Sequence, residues 1–395
     1  MYNNKRRHSF GGYDHQKRNN FPRKSGFIRS KINPSLYIKE AQELVKIEDE
    51  ATLNSFSDFN FHPNLLANIK SKGYIKPTQI QDKVIPHITN NIDILGIANT
   101  GTGKTAAFVL PLIDKIINNP NKRIIVLTPT RELALQIKEE FRSFTMGLKV
   151  YLALAIGGAY IREQIIQIKR GPNVIIGTPG RIVDLGKRNV INFNQFDTVV
   201  LDEVDRMLDM GFINDVRFIV DQTPRSRQTL FFSATIDKRV ESLVDGFLKN
   251  PVKISIKTQD ASSHVEQDIV KVPRFAKEDK LQQLVAHPDF KKVLVFGSTQ
   301  RIVEKLSILL SRNGFNAQGL HGGKRQQQRQ RIVKSFRENQ FSILVATDVA
   351  ARGLDITDIT HVINYDEPNN YQEYIHRIGR TGRGNNKGFA LTFVE

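Results

Sequence analysis

Two stretches carry residues whose types and spacing suit phosphate chemistry. In DILGIANTGTGKTAAF, residues 93–108, an apolar run meets a glycine-rich loop and then a helix start. Gly101 and Gly103 let backbone N–H groups turn inward around phosphates, Lys104 supplies a cation for the β- and γ-phosphates, and the Thr105 hydroxyl can ligate Mg²⁺. The generic pattern asks for glycine five places before Gly103, where this chain has Ala98. In VVLDEVDRMLD, residues 199–209, an apolar strand runs into Asp202 and Glu203, with Asp205 two positions on. In phosphate-loop enzymes a second strand ends in an acid that holds Mg²⁺, which makes Asp202 the metal candidate. Glu203 beside it can orient and deprotonate an attacking water. Taken alone, two acids capping a strand read better as a helix N-terminal feature favoured by the helix dipole. With the glycine-rich loop upstream, the pair points to nucleotide hydrolysis.

These residues need strands to hold them, and the chain supplies a series. Apolar runs at 93–98, 123–128, 150–156, 173–178, 198–202 and 228–233 alternate with segments of helical period. Fully apolar runs separated by helices indicate a parallel sheet covered on both faces. A second series lies at 291–298, 341–347, 360–366 and 388–394, with helix candidates at 299–313, 324–338 and 370–378. The expected fold is α/β, with two domains that are each a mostly parallel sheet flanked by helices. The expected boundaries are a basic, largely disordered arm over 1–50, a first domain over 51–256, a polar linker over 257–267 and a second domain over 268–395. Within the arm, residues 1–33 lack any apolar period and are expected to be disordered, while 35–50 could form a short helix.

The 395 residues carry a formal net charge of +18. Residues 1–31 hold nine Lys or Arg and one acid, Asp14, and contribute +8 of it. Such a balance favours a polyanionic partner through phosphate contacts and counterion release. The chain has no cysteine, which excludes disulfides and thiolate zinc sites and fits a reducing cytoplasm. No run is long and apolar enough for a transmembrane helix, and the N-terminus lacks the apolar core of a signal peptide.

Residues 202–205, DEVD, resemble the D-E-A-D signature of the DEAD-box RNA helicases of superfamily 2, and ANTGTGKT, 98–105, resembles that family's phosphate loop, which begins with alanine. The resemblance continues in order through GYIKPTQIQ 73–81, PTRELA 129–134, GG 157–158, TPGR 178–181, SAT 233–235, QQQR 326–329, ATDVAARGLDI 346–356 and HRIGRTGR 376–383. It covers roughly residues 56–393 and implies two RecA-like domains, an RNA-stimulated ATPase using ATP and Mg²⁺, and local unwinding of short RNA duplexes by a monomer.

Residue by residue, the resemblance places Ala98, Asn99, Thr100, Gly101, Thr102, Gly103, Lys104 and Thr105 around the phosphates. Gln81 resembles the glutamine that reads the adenine edge, and Phe56 the aromatic that stacks on the base, although Phe56 could equally be core. Asp355 resembles the ribose contact. Arg380 and Arg383 resemble arginine fingers from the second domain, with Arg352 close to them and His376 in the interdomain hydrogen-bond network. RNA would be held by its sugar–phosphate backbone through Pro129, Thr130, Arg131, Gly158, Thr178, Pro179 and Arg181 in the first domain, and Gly322, Gln326, Arg329, Thr347 and Asp348 in the second. Ser233 and Thr235 resemble the pair that couples hydrolysis to unwinding, and Asp205 would face that pair as a relay acid. Val204, where the family usually has alanine, reads as a packing variant whose side chain points away from Asp202 and Asp205 if the strand's pleat persists. The family usually continues beyond the last strand with a helix, so a chain ending at Glu395 is either a minimal core or a trimmed one.

Overall fold

The computed structural model describes residues 32–41, 52–99, 101–256, 264–351, 356, 358–382 and 387–395. The first seven strands are β1 (Ile94–Ile97), β2 (Ile124–Leu127), β3 (Leu152–Ala155), β4 (Val174–Gly177), β5 (Thr198–Leu201), β6 (Gln228–Ser233) and β7 (Val252–Ser255). They form one parallel sheet in the order β3-β4-β2-β5-β6-β1-β7. The second sheet contains β8 (Val265–Lys271), β9 (Val293–Phe296), β10 (Ala317–Leu320), β11 (Ile343–Ala346), β12 (His361–Asn364) and β13 (Gly388–Val394). Its order is β10-β11-β9-β12-β13-β8, again all parallel.

Both sheets bury side chains on both faces, as the apolar runs demand. Along β2, Ile124 and Val126 join one core cluster, and Ile125 and Leu127 the cluster on the opposite face. In the second sheet Leu294 and Phe296 face one core while Val293 and Val295 face the other. Loops that leave the carboxyl ends of neighbouring strands therefore meet. β5, β6 and β1 lie side by side, so the loops after Leu201, Ser233 and Ile97 converge.

Three expectations change. The linker ends earlier than residue 267, because Val265–Lys271 is a strand paired with β13 along its whole length. Residues 257–263 lie outside the described residues. The arm is not disordered throughout: Pro34–Tyr37 form a 3-10 turn capped by Asn33, and Ile32 packs on the second domain's core. Of the helix expected over 35–50, residues 35–37 lie in that 3-10 turn, which ends at the extended Ile38 before Lys39 pairs with Gln267. Residues 1–31 and 42–50 lie outside the described residues. Finally, the pleat does not persist at Val204. The strand stops at Leu201, and Val204 opens the helix Val204–Asp209, where it is buried in the first domain's core. The packing role stands, by a different geometry.

Candidate nucleotide and RNA site

The phosphate loop bends through left-handed backbone at Gly101 (φ +90°) and Gly103 (φ +92°), a region that an L side chain rarely adopts. Helix Lys104–Asn118 starts immediately after it. The Lys104 ammonium is buried and donates to the carbonyl of Ala98, across the loop it would serve. Ala98 is fixed in turn by its N–H, which donates to the Ser233 carbonyl at 3.1 Å. The Thr102 hydroxyl donates to the Asn99 carbonyl at 2.9 Å. Thr100 is outside the described residues.

Gln81 joins this loop to the helix Gln79–Thr89. Its Oε1 accepts from the Thr78 N–H at 3.1 Å, and its Nε2 donates to the Gly103 carbonyl at 3.2 Å. A carboxamide can make four hydrogen bonds. Two are used to set its plane, and two remain for a base edge. Phe56 does not offer an open ring. It is 5% exposed and packed against Phe59 and Tyr74 at 6.2 and 6.0 Å, so the core alternative is the arrangement present.

Asp202 and Glu203 follow β5. The Asp202 carboxyl is buried, and its Oδ1 has no hydrogen-bond partner. Burial raises its pKa to about 7; Lys104 opposes the shift and Glu203 adds to it. Glu203 sits at φ 55°, ψ 53°, a left-handed conformation that costs a non-glycine residue about 1–3 kcal/mol and recurs at functional sites. That turn aims its carboxylate at Arg206, whose Nη1 is 2.7 Å from Oε2. No motif singles out Arg206, although an arginine three residues after an acid at a helix start is the spacing that pairs them.

Asp205 faces the SAT stretch. Its Oδ2 accepts from the N–H groups of Ala234 and Thr235 and from the Thr235 hydroxyl, each at 3.2 Å. The Ser233 hydroxyl donates to the Thr235 carbonyl at 2.7 Å. The acid nearest Asp202 and Glu203 is thus bonded to the loop after the neighbouring strand.

The remaining first-domain candidates form one brace. Thr130 caps the helix Arg131–Phe144 by accepting from the Leu133 N–H. The Arg131 guanidinium lies against Gly158, where an added Cβ would sit 2.2 Å from Nη1. Thr178 is the N-cap residue and Pro179 the first residue of the helix Pro179–Lys187. Arg181 on that helix donates to Gln164 Oε1 at 3.1 Å and to the Ala159 carbonyl at 3.4 Å, so it holds the 157–160 loop in shape from below. Pro129 is buried beside Thr130.

In the second domain Gly322 is exposed, after His321, which pairs with Glu304 at 2.9 Å. Gln326 opens the helix Gln326–Arg337; it is buried, and neither its Oε1 nor its Nε2 has a partner. Arg329 lies one turn later, and its Nη2 is 2.8 Å from Oε1 of Glu132 in the first domain. Thr347 follows β11 and its carbonyl accepts from Ala350 and Ala351. Asp348 does not offer its carboxylate to a ligand. Arg377 holds both of its oxygens, at 2.6 and 2.8 Å, and a carboxylate would in any case repel a phosphate. Burial raises the Asp348 pKa against the pull of Arg377. The carboxylate is committed to a structural ion pair, which leaves the main chain of Asp348 as the part that could meet RNA. Arg377 also reaches Glu373 and the Asp366 carbonyl; it lies within HRIGRTGR, where the resemblance gives it no separate role.

The two domains face each other across a cleft of about 1210 Å³, whose lining includes Gly103, Lys104, Thr105, Asp202 and Glu203 from the first domain and Arg380 from the second. Arg380 follows the helix Tyr371–Ile378 and is 4% exposed. His376 is half-buried in the last turn of that helix. Arg352, Asp355 and Arg383 lie outside the described residues.

Residues 78–243 match the family described as DEAD/DEAH box helicase, and residues 276–385 match the helicase conserved C-terminal domain. The chain is 43% identical over 341 residues to the ATP-dependent RNA helicase CshA of Limosilactobacillus reuteri, a match that covers 86% of this chain and 69% of that protein. Its fold is similar to that of S. cerevisiae Dbp5 bound to RNA and ADP BeF3, with a TM-score of 0.77 and 30% identity over 87% of this chain and 90% of that one. It is similar also to Mss116p bound to ssRNA and AMP-PNP, with a TM-score of 0.77 and 29% identity over 88% of this chain and 76% of the other.

Proposed function

We propose, for a chain that belongs to the DEAD-box ATP-dependent RNA helicases, that ATP is hydrolysed only when the second domain closes Arg380 onto a site built on the first. The observation that carries this is the shared cleft, with Lys104, Asp202 and Glu203 on one wall and Arg380 on the other. Lys104 binds the β- and γ-phosphates, Gln81 reads the adenine edge, and Glu203 orients and deprotonates the water. Arg380 stabilises charge on the transferring phosphoryl group. Arg206 holds Glu203 by its carboxylate, so the base is aimed before substrate arrives.

Mg²⁺ fits this site. The orphaned Oδ1 of Asp202 and the Thr105 hydroxyl would hold it, and among the described residues no cluster of three or more acidic or His side chains competes for a metal. One carboxylate, a hydroxyl and substrate oxygens are the donor set that suits this ion. When bound, it neutralises charge on the phosphate oxygens.

RNA runs across the tops of both sheets, along the braces formed by Thr130, Arg131, Gly158 and Arg181 and along Gly322, Gln326 and Thr347. Backbone N–H groups and arginines in these loops suit phosphates and 2′-hydroxyls, so the grip is independent of base sequence. Asp205 carries the state of the catalytic strand to Ser233 and Thr235. The protein acts as a monomer in the cytoplasm. No helix among the described residues is long and apolar enough to cross a membrane.

The test pairs ATPase stimulation by RNA and by DNA with displacement of a short RNA duplex. Selective stimulation by RNA, with strand displacement, is expected. Stimulation without displacement would make the protein an ATP-gated RNA clamp, and equal stimulation by DNA would overturn the substrate assignment.

A further inference from the structure

The loop that leaves the carboxyl end of β3 is fixed at its ends and in its middle. Gln164, on the helix Ile161–Lys169, is buried and closes the loop on its own start. Its Oε1 accepts from the Ile156 N–H at 3.2 Å, and its Nε2 donates to the Ile156 carbonyl at 3.0 Å. Arg181 grips the loop from a second helix, through Gln164 and the Ala159 carbonyl. The Arg131 guanidinium lies against Gly157 and Gly158, where an added Cβ would come within 3.1 and 2.2 Å of it.

One large side chain projects from this braced loop into solvent. Tyr160 is 73% exposed, and Gly158 and Arg162, two places to either side, are exposed with it. A lone exposed tyrosine is ordinary. Tyr151 is 64% exposed as well, but it precedes β3, at the opposite end of that strand from the site loops. Tyr160 differs in its company. No acid or carbonyl among the described residues pairs with the Arg131 guanidinium. Burial pulls the Arg181 pKa down; Asp184 opposes the shift, and the nearby charges of Arg131 and Arg188 add to it. Like charges held this close favour an anion between them.

We propose that Tyr160 is a base-stacking platform, whose ring takes the flat face of one nucleobase of a single-stranded RNA with its phosphates at Arg131 and Gly158. This rests on RNA lying along those two residues, and it adds a base contact to a grip otherwise confined to the sugar–phosphate chain. Two residues of chain span at most roughly 7 Å, so the ring stands beside the phosphate that Gly158 meets. Every base has a π-face, so the contact tolerates any sequence. The ring has two side-chain torsions to fix and the loop beneath it is already set, so little freedom is lost on binding. An interior base of a duplex is covered by its neighbours, whereas an unstacked base of a single strand can offer its face. The platform therefore favours the separated strand.

The test measures binding of two labelled chains of equal length and charge, an oligoadenylate and a fully abasic ribose–phosphate chain. Fluorescence anisotropy with a non-hydrolysable ATP analogue compares the full-length parent with Tyr160→Phe, Tyr160→Ala and Tyr151→Ala. Tyr160→Ala should bind oligoadenylate about 5-fold or more weakly than the parent, the lower end for loss of one stacked base. Tyr160→Phe keeps the ring, and Tyr151→Ala removes one from the far end of the strand, so both should stay within about twofold of the parent. On the abasic chain Tyr160→Ala and the parent should agree, because the ring has nothing to stack on. Equal losses on the two chains would mean that the substitution disturbs the phosphate grip, and no loss on oligoadenylate would mean that the ring meets no base. Either result overturns the platform. A parent that binds neither chain would instead overturn the RNA path on which it rests.

Discussion

Oε1 of Glu132 and Nη2 of Arg329 meet at 2.8 Å across the domain boundary, with 7% and 6% of their side chains exposed. Both charges are solvated when the domains part and desolvated when they meet, so the contact weighs on closure alone. Removing one partner of a buried pair costs about 3–5 kcal/mol, because the other charge is left stranded. Glu132→Ala and Arg329→Ala should each lower kcat/KM for RNA-stimulated hydrolysis by at least about 10²-fold. The exchanged double variant, Glu132→Arg with Arg329→Glu, should recover part of the loss. A double variant no better than either single change would return Arg329 to the RNA-contact role that its place in QQQR suggests.

Glu203 combines a strained backbone with a carboxylate held by Arg206. Glu203→Gln keeps the shape and removes the base. It should bind ATP and RNA with near-normal affinity and hydrolyse at least ~10²-fold more slowly. Steady-state turnover within a few-fold of the parent would show that another group activates the water.

How far the sequence could be read depends on whether a feature is local. The phosphate loop, Asp202 and Glu203 are stretches of consecutive residues, and they follow β1 and β5, the two strands that flank β6. The three strands without an unbroken apolar run, β7, β8 and β10, all lie at sheet edges. An edge strand half-faces solvent, so VKIS, VEQDIVK and AQGL lack the unbroken apolar run of a central strand. The left-handed turn at Glu203 carries no local signal, because the residue that adopts it is not glycine. Arg377 and Asp348 are 29 positions apart, and the partner of Arg329 lies in the other domain. Pairings of that kind exist only once the chain has folded. Tyr37 is a lone aromatic in PSLYIKE, and nothing in its neighbours announces a fully buried ring.

His361 gives the second domain a pH dependence of known sign. Its ring is stacked between Phe290 at 3.9 Å and Phe389 at 5.0 Å. Burial pulls its pKa down to about 4; nearby Asp289 opposes the shift and His287 adds to it. The unfolded chain takes up this proton near the ordinary value of 6.5, and the folded chain only near 4. The stabilisation is therefore complete above that ordinary value and is lost as pH falls towards the folded one. His361→Phe keeps an aromatic in the stack and removes the titration. Urea midpoints at pH 7.5 and pH 5 should fall less for this variant than for the parent, since every other titrating group is shared. Parallel pH slopes would assign the acid sensitivity elsewhere.

Arg380 faces the phosphate loop's side of the cleft from the second domain. It lines the same cleft as Lys104, Asp202 and Glu203, yet it comes from the far domain and follows a helix that Arg377 anchors to Asp348 and to the Asp366 carbonyl. If it stabilises charge on the transferring phosphoryl group, Arg380→Ala should slow single-turnover hydrolysis at saturating RNA by about 10³-fold or more, the lower end for an arginine finger. Nucleotide affinity should change little, because Lys104, Gln81 and the phosphate loop belong to the first domain. Arg380→Lys should fail as well, since an ammonium is a point charge and cannot reproduce the planar fork of a guanidinium. A lysine variant with near-parent rates would mean that the position needs only positive charge. An alanine variant that binds ATP poorly but hydrolyses at the parent's rate once saturated would move Arg380 from the transition state to ground-state binding, because uniform binding alters KM and leaves kcat alone.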